Sequence, residues 1–437
     1  MIGRTSFGRG KHRIVKIKIY KGRQKERKIK RGQEVAKIRR GIWIILIFLI
    51  VSLGLTGCWS SRELNELAII VAAGLDKSDD EVLLSLQVIS PGEISPQRSA
   101  AGRAPIVTYR GTGKTVLEAV RDMTKKIPRR SYWSHLRIVI IGEELAKEDG
   151  VTKVLDFLAR DHEIRGDFYI VLSHGVRAEE VLGVMTPIDK IPAQKMFASL
   201  KTSAESWGST QTVYLSDLIS DLVSTEKGTT LSGIHFQGDL STGEKRENVE
   251  SSDPATIVEY VGLGVLKKGK LIGWLNQEES KGITFAKDQM KSTIISAPCP
   301  KQGVMAMEVI KARSTVDVQL KEGKLSGKIH VYADGSIAET DCAIDLAKLS
   351  TIHQVEKRMA MEIIRMIESS IGAAKGLKAD VIGFSDKTYK KYPKYFKEVK
   401  EDWDEIFTKM DVEVTADVHL RRTGTEVNPF LQEMGGS

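Results

Sequence analysis

Apolar positions along this chain switch between two periods. Segments 68–73 and 82–89 are short apolar runs that read as strands, joined across the Gly-, Asp- and Ser-rich 74–80. Residues 92–105 carry Gly92, Pro96, Gly102 and Pro105 and read as an exposed loop. In 114–126, Val116, Leu117, Val120 and Met123 recur at helical spacing. Two apolar strands, 137–142 and 168–172, then bracket a helix at 151–160, whose apolar face is Val151, Val154, Leu155 and Leu158. Strand, helix, strand at that spacing predicts a βαβ unit within a mixed sheet.

The pattern changes after residue 238. Gly238, Gly243, Asp253 and Pro254 lie in a polar stretch, 238–256, that is the best domain boundary, with 246–256 as linker. Beyond it, 257–266 and 270–275 predict a hairpin about Lys267-Lys268-Gly269. Segments 308–320, 324–333 and 336–346 alternate apolar and polar residues across Lys321-Glu322-Gly323 and Asp334-Gly335, which predicts an antiparallel meander with one dry face. Val355, Met359, Ile363, Ile367 and Ile371 then keep a four-residue step, widened by Ile364, as in a long helix packed on a sheet. The predicted fold is α+β and multi-domain, with mixed and antiparallel sheets packed by helices. Its divisions are a leader over 1–57, an N-terminal α+β region over 58–245, the linker, a C-terminal α+β domain over 257–428 and a tail over 429–437.

Composition agrees with a folded body. With 41% apolar and 28% charged residues and 11 prolines in 437, the chain is neither collagen-like, wholly disordered nor a polytopic membrane protein. The net charge of +9 is unevenly spread. Residues 1–40 hold 16 basic and 2 acidic groups, residues 41–57 hold none, and 58–437 hold 50 basic against 55 acidic. The body is therefore mildly acidic, and the basic excess belongs to a leader. A nucleic-acid partner loses its support.

Arg39-Arg40 runs into the apolar 42–51, which is too short for the ~20 residues of a membrane span and fits a signal-peptide core. Leu55-Thr56-Gly57-Cys58 follows, an apolar residue and two small ones before a cysteine. This is the lipobox of bacterial lipoproteins. Small residues admit the peptidase, and the Cys58 thiol takes a diacylglyceryl thioether, with or without a further N-acyl chain. The forty-residue basic leader exceeds what export needs, and Val35 begins a leader of ordinary size. Residues 1–57 are set apart from the fold on either start.

Two cysteines remain, Cys299 and Cys342, both beside predicted strands of the distal domain. An oxidising exterior permits a disulfide between them without requiring one; two small, buried, free thiols are the alternative. Two thiols without a neighbouring His cluster do not make a structural zinc site. Gly111-Thr112-Gly113-Lys114-Thr115 resembles the end of a phosphate-binding loop, but Thr108 stands where the first glycine is needed, so a tight turn with a helix cap at Thr112 is the better reading. Gly262-Leu263-Gly264 lacks its third glycine, and His162-Glu163 lacks a second histidine at 166, which is Gly166. No pattern supports an enzyme, a cofactor or a metal.

Several segments together resemble the Ger(x)C family, the lipoprotein C subunits of nutrient germinant receptors in spore-forming bacteria. They are the start at Gly57-Cys58-Trp59-Ser60-Ser61-Arg62-Glu63-Leu64-Asn65-Glu66-Leu67-Ala68-Ile69-Ile70, then Trp133-Ser134-His135-Leu136-Arg137, 141–146 and 156–161. Further on come Ala379-Asp380-Val381-Ile382-Gly383-Phe384, Tyr392-Pro393, Trp403 with Ile406-Phe407, and Arg421-Arg422-Thr423-Gly424. The matches span nearly the whole mature chain in family order. The resemblance implies a non-catalytic receptor component, anchored through Cys58 on the outer face of the cytoplasmic (spore inner) membrane and partnered by A- and B-type membrane subunits. Trp403, Phe384 and Phe407 are expected in the core, and Asp380 with Arg421 is a candidate structural pair. The alternative is an extracytoplasmic substrate-binding lipoprotein of a transporter.

Overall fold

A computed structural model describes residues 31–32, 34–49, 66–90, 104–223, 226–299, 302–342 and 344–422. Cys58 and most of the expected loop at 92–105 lie outside them. Residues 34–49 are helical with exposed apolar side chains. No helix among the described residues is long and apolar enough to cross a membrane.

The described residues from Glu66 onward form one compact unit built on two sheets. The first contains β1 (Leu67–Ser78), β2 (Glu81–Ile89), β3 (Ile106–Gly113), β4 (Arg130–Tyr132), β5 (Ile138–Ile141), β6 (Tyr169–Ser173), β7 (Thr229–Gly238), β8 (Thr256–Lys267) and β9 (Lys270–Leu275). Its order is β3-β2-β1-β5-β6-β7-β8-β9, with β4 beside β1. β1, β5, β6 and β7 pair in parallel at the centre, and antiparallel hairpins flank them on both sides. β5 is apolar throughout and β6 is so up to Ser173, with every residue of both buried, as in strands covered on both faces. The βαβ unit is present: Ile138 stands opposite Tyr169 in the parallel β5–β6 pair, and a helix at Thr152–Arg160 lies in the connection between them.

Helices cover the sheet. α1 (Val116–Met123) is capped by Thr115, whose hydroxyl accepts the Glu118 N–H while the Glu118 carboxylate accepts the Thr115 N–H. The cap thus sits three residues beyond the expected Thr112, because Gly111, Thr112 and Gly113 still pair with β2. α2 (Thr152–Arg160) buries Val154, Leu155 and Leu158. α3 (Pro192–Ser206) and α4 (Leu215–Val223) precede β7.

The described residues on both sides of the polar stretch after residue 238 belong to one compact unit. Asn248 is buried there; its amide donates to the Met185 and Thr256 carbonyls at 2.8 and 3.0 Å and accepts the Thr256 N–H at 2.9 Å. Leu240–Gly243 and Glu247–Glu250 are short helices capping this edge, with polar residues facing outward. The following hairpin, assigned from sequence to the distal domain, is β8–β9 of the first sheet, and Thr229 stands opposite Leu266. Its turn is as expected, with Lys268 and Gly269 at φ 49° and 77°.

The second sheet runs β10 (Thr293–Pro298), β11 (Val304–Lys321), β12 (Lys324–Thr340) and β13 (Asp411–Arg422), with β13 parallel to β12. The expected three-strand meander is a single long hairpin. Glu322 and Gly323, at φ 50° and 75°, make its turn, but Asp334-Gly335 continues inside β12. Gly335 is needed there for close packing, since a Cβ would press on the Met307 side chain. The register slips opposite it, between Val309 and Lys311, so this is a bulge and not a turn.

α5 (Gln277–Ala286) lies between the sheets, and α6 (Leu349–Gly376) packs on the second. Val355, Met359, Ile363, Ile367 and Ile371 are buried, as their spacing predicts. One core contains Leu263, Val265 and Leu275 of the first sheet together with Phe285, Met307 and Ile363. The two halves therefore share a dry interior through α5.

Candidate functional site

The segments that carry the family resemblance are largely structural. Trp133 and Leu136 are buried at the entry to β5, and Trp133 meets Phe157 edge-on at 6.4 Å. The Arg137 N–H donates to the Val71 carbonyl, and its guanidinium lies 5.5 Å from the Phe197 ring centre. Asp156 and Arg160 form an exposed pair one helical turn apart.

The distal signature closes on one carboxylate. Asp380 is 1% exposed and accepts the N–H groups of Gly383, Phe384 and Ser385 at 2.8, 3.0 and 2.7 Å, with the Trp403 Nε1–H at 3.3 Å. Gly383 supplies the turn, at φ 92°, that brings these donors round. Burial pushes the Asp380 carboxyl upward, and the backbone bonds pull it back. Phe384, Phe407 and Trp403 are fully buried around it. Arg421 does not reach Asp380. Its Nε donates to Asp334 at 2.9 Å and its Nη2 to the Tyr332 hydroxyl at 2.7 Å, on the open face of β12 and β13. Asp380 is satisfied locally by the turn that follows it, between two helices, which helical periodicity does not reveal.

Cys299, just past β10, and Cys342, just past β12, are brought together as a disulfide, Cα–Cα 5.6 Å with a dihedral of −85°. The Asp341 carboxylate beside them accepts the Val304 N–H and lies 3.8 Å from the Cys299 sulfur. Sulfurs joined in this way offer no thiolate to a metal.

A cavity of about 610 Å³ opens between α3, the segment entering α4, β7 and the end of α5. Tyr169 and Phe197 stack on one wall, with ring centres 4.4 Å apart and planes 9° from parallel. Across it, the Asp221 carboxylate accepts from Lys227 at 2.7 Å and from the Thr229 hydroxyl at 2.8 Å. Gln211 is 6% exposed; its Oε1 accepts from Thr230 and its N–H donates to Ser232, both at 2.8 Å, while its Nε2 has no partner. The half-buried Lys287 has neither a hydrogen bond nor an ion pair on its ammonium among the described residues. Burial pulls its pKa down to about 8, against the attraction of Asp221. Neither Gln211 nor Lys287 belongs to a motif, and only the folded chain brings them to one cavity.

Both halves of the chain match models of spore germination proteins. Residues 60–235 fit the spore germination protein N-terminal domain, and residues 261–424 fit the spore germination B3/GerAC-like C-terminal domain. The chain belongs to the GerAC-like, or Ger(x)C, family of spore germination proteins. It is 32% identical to spore germination protein KC of Bacillus subtilis (strain 168), over 91% of this chain and 99% of that one. It is 24% identical to spore germination protein B3 of the same organism, over 85% and 96%. A solved structure, the crystal structure of the GerBC protein, aligns over 80% of this chain and 96% of its own at 19% identity and a TM-score of 0.49.

Proposed function

We propose that this chain is the lipid-anchored, non-catalytic C-type subunit of a nutrient germinant receptor. Tethered through Cys58 to the outer face of the spore inner membrane, it assembles with A- and B-type membrane subunits and contributes to nutrient-triggered germination. The observation that carries this reading is family membership across both halves, with a relative that is 32% identical over 91% of the chain. The lipobox Leu55-Thr56-Gly57-Cys58 supplies the attachment. Nutrient germination of spores lacking the chain tests its role, and affinity purification of the tagged chain from spore membranes tests its partners. Loss of nutrient response and recovery of both membrane subunits are expected. Recovery with a transport permease and ATPase instead would favour the substrate-binding alternative.

A further inference from the structure

We propose that the cavity between α3, β7 and α5 binds a small organic monocarboxylate, whose anionic group is received by Lys287 and Gln211. Five observations converge on this class of ligand. Lys287 faces the cavity without a partner, and the Gln211 Nε2 is a buried donor without an acceptor. A buried donor left unpaired costs about 1–3 kcal/mol, which an anion at that end would recover. The lining carries Lys201, Lys227, Lys287 and Lys291 against Glu205, Asp217 and Asp221, an excess of one positive charge, and Asp221 hydrogen-bonds Lys227 and not Lys287. The same lining includes the aromatic side chains Tyr169 and Phe197, stacked on each other, which offer contact to a carbon skeleton that an inorganic ion cannot use. Exposed Glu205 and Asp217 on the lining oppose a second negative charge, which excludes polyanions. A volume of about 610 Å³ lies within the range of small-molecule sites.

The site depends on the folded body and not on the anchor or on receptor partners, so it and the receptor reading can fail separately. The test is calorimetric titration of the full chain in detergent with benzoate, with inorganic phosphate in a parallel titration. Saturable benzoate binding is expected, weakened about tenfold or more by Lys287→Gln and by Gln211→Glu, the loss of one charge-assisted hydrogen bond in each case. Gln211→Glu keeps an acceptor for Thr230 while placing negative charge against the ligand. Lys287→Arg, which keeps the cation, should bind within about threefold of the parent. If Gln211→Glu does not fold, the Lys287 pair decides alone. No saturable benzoate binding, equal binding by parent and Lys287→Gln, or saturable binding of phosphate in place of benzoate would each overturn the proposal.

Discussion

Gly282 on α5 faces Ser370 on α6 across a helix crossing that has no room for a Cβ. A methyl group at 282 would overlap the Ser370 Oγ and the Met366 carbonyl oxygen. That hydroxyl is already committed, donating to the Glu279 and Met366 carbonyls at 2.6 and 2.7 Å. The crossing joins the two halves of the core, since α5 packs on β8 while α6 packs on the second sheet. Gly282→Ala should therefore cost about 1–3 kcal/mol, because backbone must shift to admit it. Thermal denaturation measures this. Ser370→Ala alone should be milder and should partly rescue Gly282→Ala; additive losses would mean that the two positions are not coupled.

Asp380 holds the distal turn. Asp380→Ala leaves three buried N–H groups without an acceptor, a loss of about 3 kcal/mol or more. Asp380→Asn keeps one oxygen and should fall between parent and alanine. The midpoint of urea unfolding ranks the three. An alanine variant as stable as the parent would show that the carboxylate contributes nothing to the fold.

One buried and one half-buried lysine set a pH dependence. Lys281 is 7% exposed, and Lys281 and Lys287 both have pKa values pulled down by burial to about 8. Between about pH 8 and their unfolded value near 10.4, the unfolded chain binds more protons than the folded one, so stability rises with pH. The penalty is fully present below pH 8. Near and above pH 10 the trend reverses, since burial raises the Tyr260 phenol and the unfolded chain then loses that proton first. The Lys281 ammonium lies 3.4 Å from the Trp207 ring centre, a contact that favours its charged form and works against burial. Lys281→Met should flatten the rise between pH 8 and 9.5. An unchanged slope in melting temperature would rule Lys281 out as its source.

Reading strands and helices from the sequence succeeded where periodicity acts within one element. The α6 stripe and the β5–α2–β6 unit are legible because each residue's neighbours lie three, four or two positions away. Two stretches serve tertiary contacts that the sequence does not display. Gly335 and the 238–256 stretch look like punctuation, yet Gly335 is required by the Met307 side chain and Asn248 by backbone groups at 185 and 256. Those partners are distant in sequence, so polar or small residues serving tertiary contacts resemble turns. The cavity was invisible for the same reason: its Tyr169, Gln211 and Lys287 come from three separate stretches.

Cys299 and Cys342 lie 43 residues apart in sequence and are positioned for a bridge that would close the open ends of β10 and β12. A loop of this length predicts about 2–4 kcal/mol from restriction of the unfolded chain. Intact-mass analysis of exported protein should show a gain of two hydrogens on reduction, with a lower melting temperature. No mass change would mean free thiols, two small core residues at the sheet's edge.

The lipid attachment proposed at Cys58 makes a further prediction. Cys58 follows Leu55-Thr56-Gly57 and should carry the diacylglyceryl group, with Trp59 at the headgroups and Ser60-Ser61-Arg62-Glu63 as spacer. At about 0.8 kcal/mol per buried methylene, one acyl chain holds a protein marginally, and two or three make attachment stable. The body from Cys58 onward, with 50 basic and 55 acidic residues, gains nothing from anionic lipid and would not remain by charge alone. Cys58→Ala should leave an unprocessed precursor or degraded protein. Such spores should respond poorly to nutrients yet germinate normally with a stimulus that bypasses receptors. A chain beginning at Trp59 should fold and stay in solution, because the two sheets and their shared core are built from residues beyond Glu66. Normal nutrient germination by Cys58→Ala spores, with mature protein of the correct size, would sink both the lipid attachment and the role assigned to it.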